Sequence, residues 1–370
     1  MSWRAIAFGL LALLIALPRA LGYASGDAPL SIVSWGGDYA DSQRHAYFEP
    51  YQKLHPDAKI LVTNAGGEAV KLLREQAKSQ AITWDVVDVT AADAIRLCSE
   101  GIAMKIEHDK VLAPAPDGTP ASLDFGQTMI SECMIPEIVY STAIGYRLDQ
   151  VAQKPSSICD VFDLKRFPGK RALERRPINN LEWALVCDGV PPQNVYEVLE
   201  SKDGVERALH RLDAIKDHIV WWTGGEEPAQ MLAKGDVVFA SAYNGRLFPL
   251  IAKANPNVAM LWDRQVFDFD GWIIPKGAPH LDEALKFVRF ATDAKRLADQ
   301  ASYIPYGPAR RSSTALVGRH ATLGIEMAPF MPTAPENAKT TLIYNYDWWA
   351  THRDKLDERF RLWLEEKAGP

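Results

Sequence analysis

The sequence carries no excess of basic charge. Forty-one lysines and arginines face 47 aspartates and glutamates, a formal net charge of -6 over 370 residues. Nucleic-acid binding draws on a surplus of cations to neutralise phosphate, so that class of partner is excluded. Long apolar runs are also scarce: beyond the first 25 residues nothing approaches the length of a membrane span. Catalytic signatures are missing. There is no G-x-S-x-G, H-E-x-x-H, Walker loop or G-x-G-x-x-G, and the eight histidines do not pair at helical spacing. Cysteine is limited to Cys98, Cys133, Cys159 and Cys187, with no C-x-x-C pair and no histidine spacing that suggests zinc. Internal repeats and low-complexity segments are absent. Neither a cofactor nor a metal is expected.

What is present begins at the N-terminus. Arg4, an apolar stretch over 5–17 and small residues over 20–25 have the order of a cleavable signal peptide, with the cut expected near 22–25. Arg4 and Arg19 would leave with it, so 39 basic and 47 acidic side chains would give the mature chain a charge of -8. No cysteine lies near the cleavage zone, so a soluble, exported product without a lipid anchor is expected. An oxidising compartment permits disulfides, and four cysteines allow three pairings. The shortest loops that do not cross join Cys98 to Cys133 and Cys159 to Cys187.

The remaining length suffices for two cores. In the first third, apolar runs at 30–34, 59–62 and 85–89 alternate with helical patterns at 39–54, 68–79 and 91–100. Strands separated by helices of this length predict a parallel sheet with helices on both faces, and ligands then bind beyond the carboxyl ends of the strands. A long strand is predicted over 138–146, a second α/β unit over about 142–265, another strand over 272–275, and a closing amphipathic helix opened by Asp347.

Aromatic and acidic residues recur at the strand ends and turns. Trp35, Trp222, Tyr243, Trp272 and Tyr306 stand beside Gly, Pro or Asn, and Asp38, Asp85, Asp88, Glu226, Glu227, Asp268 and Asp270 share their segments. Aromatic faces attract cations and carboxylates pair with ammonium groups, which predicts a cleft for a cationic organic molecule. Arg246 could pair with an acidic cleft residue or receive a carboxylate on the ligand. A secreted hydrolase using two cleft carboxylates is the alternative from another class, since paired acids need no local motif.

The ordered set SWGG (34–37), WDVVDV (84–89), IVYSTAIGY (138–146), FDLKRFPGKRAL (162–173), AKGDVVFASAYNGR (233–246), FDGWIIPKGAPH (269–280), YIPYGPAR (303–310) and the final WW helix resembles the bacterial extracellular solute-binding proteins of ABC importers, in the spermidine/putrescine-binding branch. The resemblance implies a type II periplasmic-binding-protein fold: two discontinuous α/β lobes, each a mostly parallel sheet with helices on both faces, joined by crossovers. Lobe one would be 26–139 plus 268–312, and lobe two 142–265 plus 313–370, with crossovers near 139–142, 265–271 and 312. It further implies a periplasmic monomer that closes around a small amine-bearing solute and presents it to the importer's membrane permease. Asp270 takes the place of the family's amine-binding aspartate, Trp35 that of the first-strand aromatic, Trp222 and Glu226 those of the second lobe's contacts, and Tyr306 that of a late pocket aromatic. Gly36, Asp38, Asp88, Ser141, Tyr243, Arg246, Asp268 and Trp272 complete the expected ligand-binding set. A carboxylate-bearing zwitterion held by Arg246 is the alternative ligand.

Overall fold

The computed structural model describes residues 28–253 and 257–366, so the expected leader peptide and its cleavage zone lie outside the described residues. Among these, no helix is long and apolar enough to cross a membrane. Among the described residues nine strands form the framework: β1 (Leu30–Ser34), β2 (Ile60–Asn64), β3 (Val86–Thr90), β4 (Ile135–Arg147), β5 (Arg171–Glu174), β6 (Ile219–Trp222), β7 (Phe239–Tyr243), β8 (Val258–Ile273) and β9 (Gly307–Pro308). Their order is β2-β1-β3-β8-β4-β7-β5-β6, with β9 beside β4. β1 runs parallel to β2 and β3, and β5 parallel to β6 and β7. All five residues of β1, LSIVS, are buried, as a central parallel strand covered on both faces requires, whereas edge strand β2 is only partly covered.

The two lobes meet through β4 and β8, antiparallel strands of 13 and 16 residues that pair along nearly their whole length. The pairing breaks register between Pro136 and Ile138 and again between Thr142 and Ile144. Such irregularities bend and twist a strand and re-aim its side chains. The stretch predicted as a separate strand at 272–275 is the end of β8, and its beginning, 258–266, escaped the sequence reading. Its apolar alternation is interrupted by Asp263-Arg264-Gln265, and Arg264 sits at φ 55, where the register slips.

Each lobe has its own core. In the first, Ile32, Val86, Tyr47, Tyr51, Trp272 and Phe287 pack together. In the second, Trp183, Leu185, Leu209, Phe239, Trp349, Phe360 and Trp363 do so. Each fully buried large side chain contributes roughly 1.5–3 kcal/mol relative to exposure. The C-terminal helix Tyr346–Glu365 supplies Trp349, Leu356, Phe360 and Trp363 from one face, and its cap is Asn345, which accepts from Trp348 N, rather than Asp347. The helix also reaches across: Arg353 and Asp354 pair with Asp93 and Arg96 at 2.7 and 2.9 Å on the helix Ala91–Ser99. The disulfides join Cys98 to Cys133 and Cys159 to Cys187. Each lies within one lobe, so neither ties the lobes together.

Candidate functional site

Between the lobes lies a cavity of about 510 Å³. Its wall is a run of aromatic rings that crosses from one lobe to the other. Tyr39 lies 5.9 Å from Tyr306, Tyr306 6.0 Å from Tyr140, Tyr140 5.5 Å from Tyr243, and Tyr243 5.8 Å from Trp222, centroid to centroid. These spacings are ordinary for interacting rings, and together they offer an apolar track with a negative electrostatic face. Trp35 borders the same cavity. It follows β1 directly, and the helix after it opens on Gly36 and Gly37 at φ 83 and 57, a left-handed turn that glycine adopts without strain.

Charged groups stand at both ends of this track. On the first lobe's side Asp270, 7% exposed, enters the cavity from β8, and its Oδ1 is buried with no hydrogen-bond partner. Burial, and after it Asp88, Asp268 and Glu137, raise its carboxyl well above the usual range. On the second lobe's side Arg176 pairs with Glu174 at 2.5 Å and donates to Tyr243 Oη at 3.3 Å. Burial opposes its charge, and Glu174 and Tyr243 more than restore it. Its Nε is buried without a partner, as is Glu174 Oε2. Arg175, Arg246 and Arg353 also border the cavity, against Glu68, Glu174 and Asp270. Buried polar atoms without partners are rare in folded proteins, and three of them, on Asp270, Glu174 and Arg176, belong to residues that border this one cavity.

Arg246 has a different task. Its Nη1 pairs with Glu226 at 2.5 Å, and its Nη2 donates to the Gly36 carbonyl at 3.2 Å in the opposite lobe. The two residues before it also cross the gap. Asn244 Nδ2 donates to Pro305 O at 2.7 Å, and a Cβ on Gly245 would lie 2.4–2.7 Å from atoms of the Tyr306 ring. Asn244-Gly245-Arg246 therefore forms the seam between the lobes. Gly245→Ala is expected to lower the stability of the ligand-free protein, because overpacking against the buried Tyr306 ring, typically about 1–3 kcal/mol, outweighs the roughly 1 kcal/mol by which alanine suits the helix Asn244–Lys253 better than glycine. Its solute affinity should fall about tenfold, as overpacking against Tyr306 opposes closure. Calorimetric titration together with thermal unfolding separates the two effects.

Of the residues expected from sequence, Trp35, Trp222, Tyr243, Arg246, Asp270 and Tyr306 border the cavity, and Gly36 and Glu226 frame it through Arg246. The other five lie elsewhere. Asp38 is exposed and turned into a separate shallow recess with Asp41 and His45. Asp88 is behind Trp35, accepting from its Nε1 at 3.2 Å. Ser141 does not border the cavity: its backbone N–H donates to Asn244 Oδ1, and its hydroxyl is buried without a partner. Asp268 is covered by Tyr140, whose hydroxyl donates to it at 2.8 Å, and burial pushes its carboxyl up to about 7. Trp272 is a core residue against Tyr47 and Phe287. Tyr39, Tyr140, Glu174, Arg175, Arg176 and Arg353 were not anticipated.

Two lobes joined by shared strands, with a charged and aromatic cavity at their junction, define a hinged solute-binding protein. Residues 46–333 match the family model described as bacterial extracellular solute-binding protein. The chain belongs to that family, and it is the solute-binding component of an ABC transporter rather than an enzyme. Its partners are accordingly a small-molecule solute and the permease, and the family implies a periplasmic location. A protein of Pseudomonas aeruginosa named as a gamma-aminobutyric acid-binding protein is 32% identical over 334 residues, 90% of each chain. Among solved structures, MotA of Agrobacterium tumefaciens B6 in complex with glucopine superposes with a TM-score of 0.80 at 26% identity, covering 91% of this chain and 100% of that one. The Atu4243-GABA receptor gives 0.77 at 28% identity, covering 91% and 98%.

Proposed function

We propose that this protein captures a zwitterionic solute of the ω-amino acid type, of which γ-aminobutyrate is the simplest candidate. The ammonium end would sit on Asp270 among Trp35, Tyr39 and Tyr306, and the carboxylate end on Arg176, with the carbon chain along the aromatic wall. The observation that carries this reading is that Asp270 and Arg176 border one cavity from opposite lobes, and each keeps a buried side-chain atom, Oδ1 and Nε, without a hydrogen-bond partner. Asp270 has no cation beside it, and Arg176, although paired with Glu174, keeps a spare donor, so a zwitterion offers each of them a partner at once. The named binding of γ-aminobutyrate by a relative 32% identical supports the same class. The polyamine expectation is weakened by the four arginines around the cavity, which would repel a ligand that is cationic at both ends. Both Arg246 and Arg176 have an acidic partner at 2.5 Å, but Arg246 also holds the Gly36 carbonyl across the lobes, whereas Arg176 stands beside Tyr243 at the end of the aromatic wall, so Arg176 takes the anchor's role in this reading.

The test is thermal unfolding of the protein with γ-aminobutyrate, shorter and longer ω-amino acids, putrescine and spermidine. A ligand at about 100 times its dissociation constant adds roughly 2.7 kcal/mol of stability. Stabilisation by the ω-amino acids and none by the diamines is the expected result. The reverse order would overturn the proposal.

A further inference from the structure

Behind the aromatic wall, on the Asp270 side, lies a second layer of acid that a ligand would not touch. Asp88 and Glu137 are 2% and 0% exposed. Tyr39 Oη stands 2.9 Å from an Asp88 oxygen and 3.0 Å from a Glu137 oxygen, and its single proton serves one of them at a time. Gln43 Nε2 donates to both, at 2.8 and 3.0 Å, and Gln300 Nε2 to Glu137 at 2.9 Å. Among the described residues no lysine, arginine or histidine pairs with either carboxyl. Sheet register puts this pair next to the cavity. Across β3 and β8, Thr90 faces Asp270 and Asp88 faces Trp272, so Asp88 and Asp270 are diagonal neighbours, about 7–8 Å apart. Glu137 sits in the register break between Pro136 and Ile138, and Ile138 faces Asp270. That break turns Glu137 towards Asp88 instead of the opposite sheet face.

We infer that Asp88 and Glu137 hold one shared proton in the ligand-free protein, and that an ammonium group on Asp270 expels it, so that solute capture releases a proton and tightens as pH rises. Two carboxylates in one water-excluded site cannot both ionise without a cation. The surrounding charges do not provide one. Arg353 is committed to Asp93, Arg246 to Glu226 and Arg176 to Glu174, while Asp299 is paired with Lys295 and Arg296. Asp268 is capped by Tyr140, and the phenols of Tyr39, Tyr47 and Tyr306 are raised above their ordinary range by burial. The incoming ammonium is thus the cation that lets the pair ionise. Burial raises both carboxyls, Asp88 to about 7 and Glu137 well above the usual range, so the pair still holds a proton at neutral pH. A ω-amino acid keeps both its charges across that range, so the pH dependence belongs to the protein.

This inference rests on the placement of the ammonium on Asp270, and two readings keep the two claims apart. The first needs no ligand. A carboxyl raised in the folded state contributes stability at low pH that is lost as pH climbs through its folded value. The melting temperature of the ligand-free wild type should therefore fall from about pH 6 to about pH 8, and Glu137→Gln, which mimics the protonated partner, should flatten that slope. The second is calorimetric titration with γ-aminobutyrate in buffers of different ionisation enthalpy. Asp270, raised by the same burial, can give up a proton of its own on meeting the ammonium, so the shared proton is read as a difference: Glu137→Gln should release about one proton fewer than the wild type, while still binding within about tenfold of it at the acidic end. A merely structural glutamate would change affinity and leave the proton count alone. A flat wild-type melting profile, or a proton count unchanged in Glu137→Gln, overturns the inference. A slope that Glu137→Gln flattens, without heat from γ-aminobutyrate, overturns the ligand assignment and the coupling, while the shared proton stands; the slope left in the variant belongs to Asp268, Asp270 and Glu182, which burial also raises.

Discussion

Asp270→Asn will bind its solute at least about 100-fold more weakly than the wild type, and its ligand-free form will melt at a higher temperature. The first effect follows from removing one member of a buried charge pair, which typically costs about 3–5 kcal/mol because the other charge is left without a counter-ion. The second follows from Asp270's own situation. It is 7% exposed, one oxygen has no partner, and Asp88, Asp268 and Glu137 crowd it with like charge. A neutral amide of the same shape relieves that repulsion, and relieving strain of this kind at a binding site stabilises a protein by about 0.5–2 kcal/mol. The sign also fixes the pH dependence. Because the carboxyl is raised in the folded state, its unfavourable effect is absent at low pH and grows as pH rises through its folded value. The stability gained by Asp270→Asn should therefore widen towards alkaline pH and shrink as pH falls towards the ordinary carboxylate range. Melting curves of the two proteins from acidic to alkaline pH, with titrations of γ-aminobutyrate at neutral pH, test both halves. A variant that loses affinity and also loses stability at every pH would make Asp270 a structural residue.

Some of this site could be read from sequence because strand ends announce themselves. A short apolar run, an aromatic and two glycines mark the exit of β1, and Trp35 borders the cavity for that reason. The first three strands and the helices between them were legible from the same punctuation. One misplaced residue, Ser141, traces to strand parity. Side chains alternate along a strand, so an error of one residue selects the wrong face. Ser141 was expected in the cleft, and its neighbour Tyr140 is the one that faces it. Trp272 shares a face of β8 with Asp270, but two residues further along that face has passed under Tyr47 and Phe287. Asp88 was assigned to the ligand, whereas it holds the ring that would touch the ligand. No local pattern distinguishes a carboxylate in contact with a ligand from one just behind it.

Arg175-Arg176-Pro177 did not enter the expected set, since adjacent arginines before a proline carry no local mark of a binding site. What makes Arg176 a candidate is three-dimensional: it follows directly on β5, beside Glu174 and Tyr243, where the aromatic wall ends. The one signal in the sequence is an acid and a base two residues apart at the end of an apolar strand, which is too common to single out.

Arg176→Gln is expected to invert the preference of the protein. Affinity for γ-aminobutyrate should fall by about two orders of magnitude, since a charge-assisted bond to the carboxylate is lost in a site shielded from water. Glu174, 4% exposed, would then keep only Tyr243 Oη, which donates to it at 3.1 Å. An unpaired buried carboxylate destabilises the ligand-free variant by about 1–3 kcal/mol. It also gives the cavity an acid at each end, Asp270 in one lobe and Glu174 in the other, which is the layout a diamine requires. Putrescine should therefore bind the variant better than the wild type and restore its lost stability, and Arg176→Gln combined with Glu174→Gln should bind neither solute. Titration of both solutes against all three proteins decides the matter. If Arg176→Gln leaves γ-aminobutyrate affinity unchanged, the carboxylate has another anchor, and Arg246, released from Glu226 as the solute enters, is the guanidinium positioned to provide it.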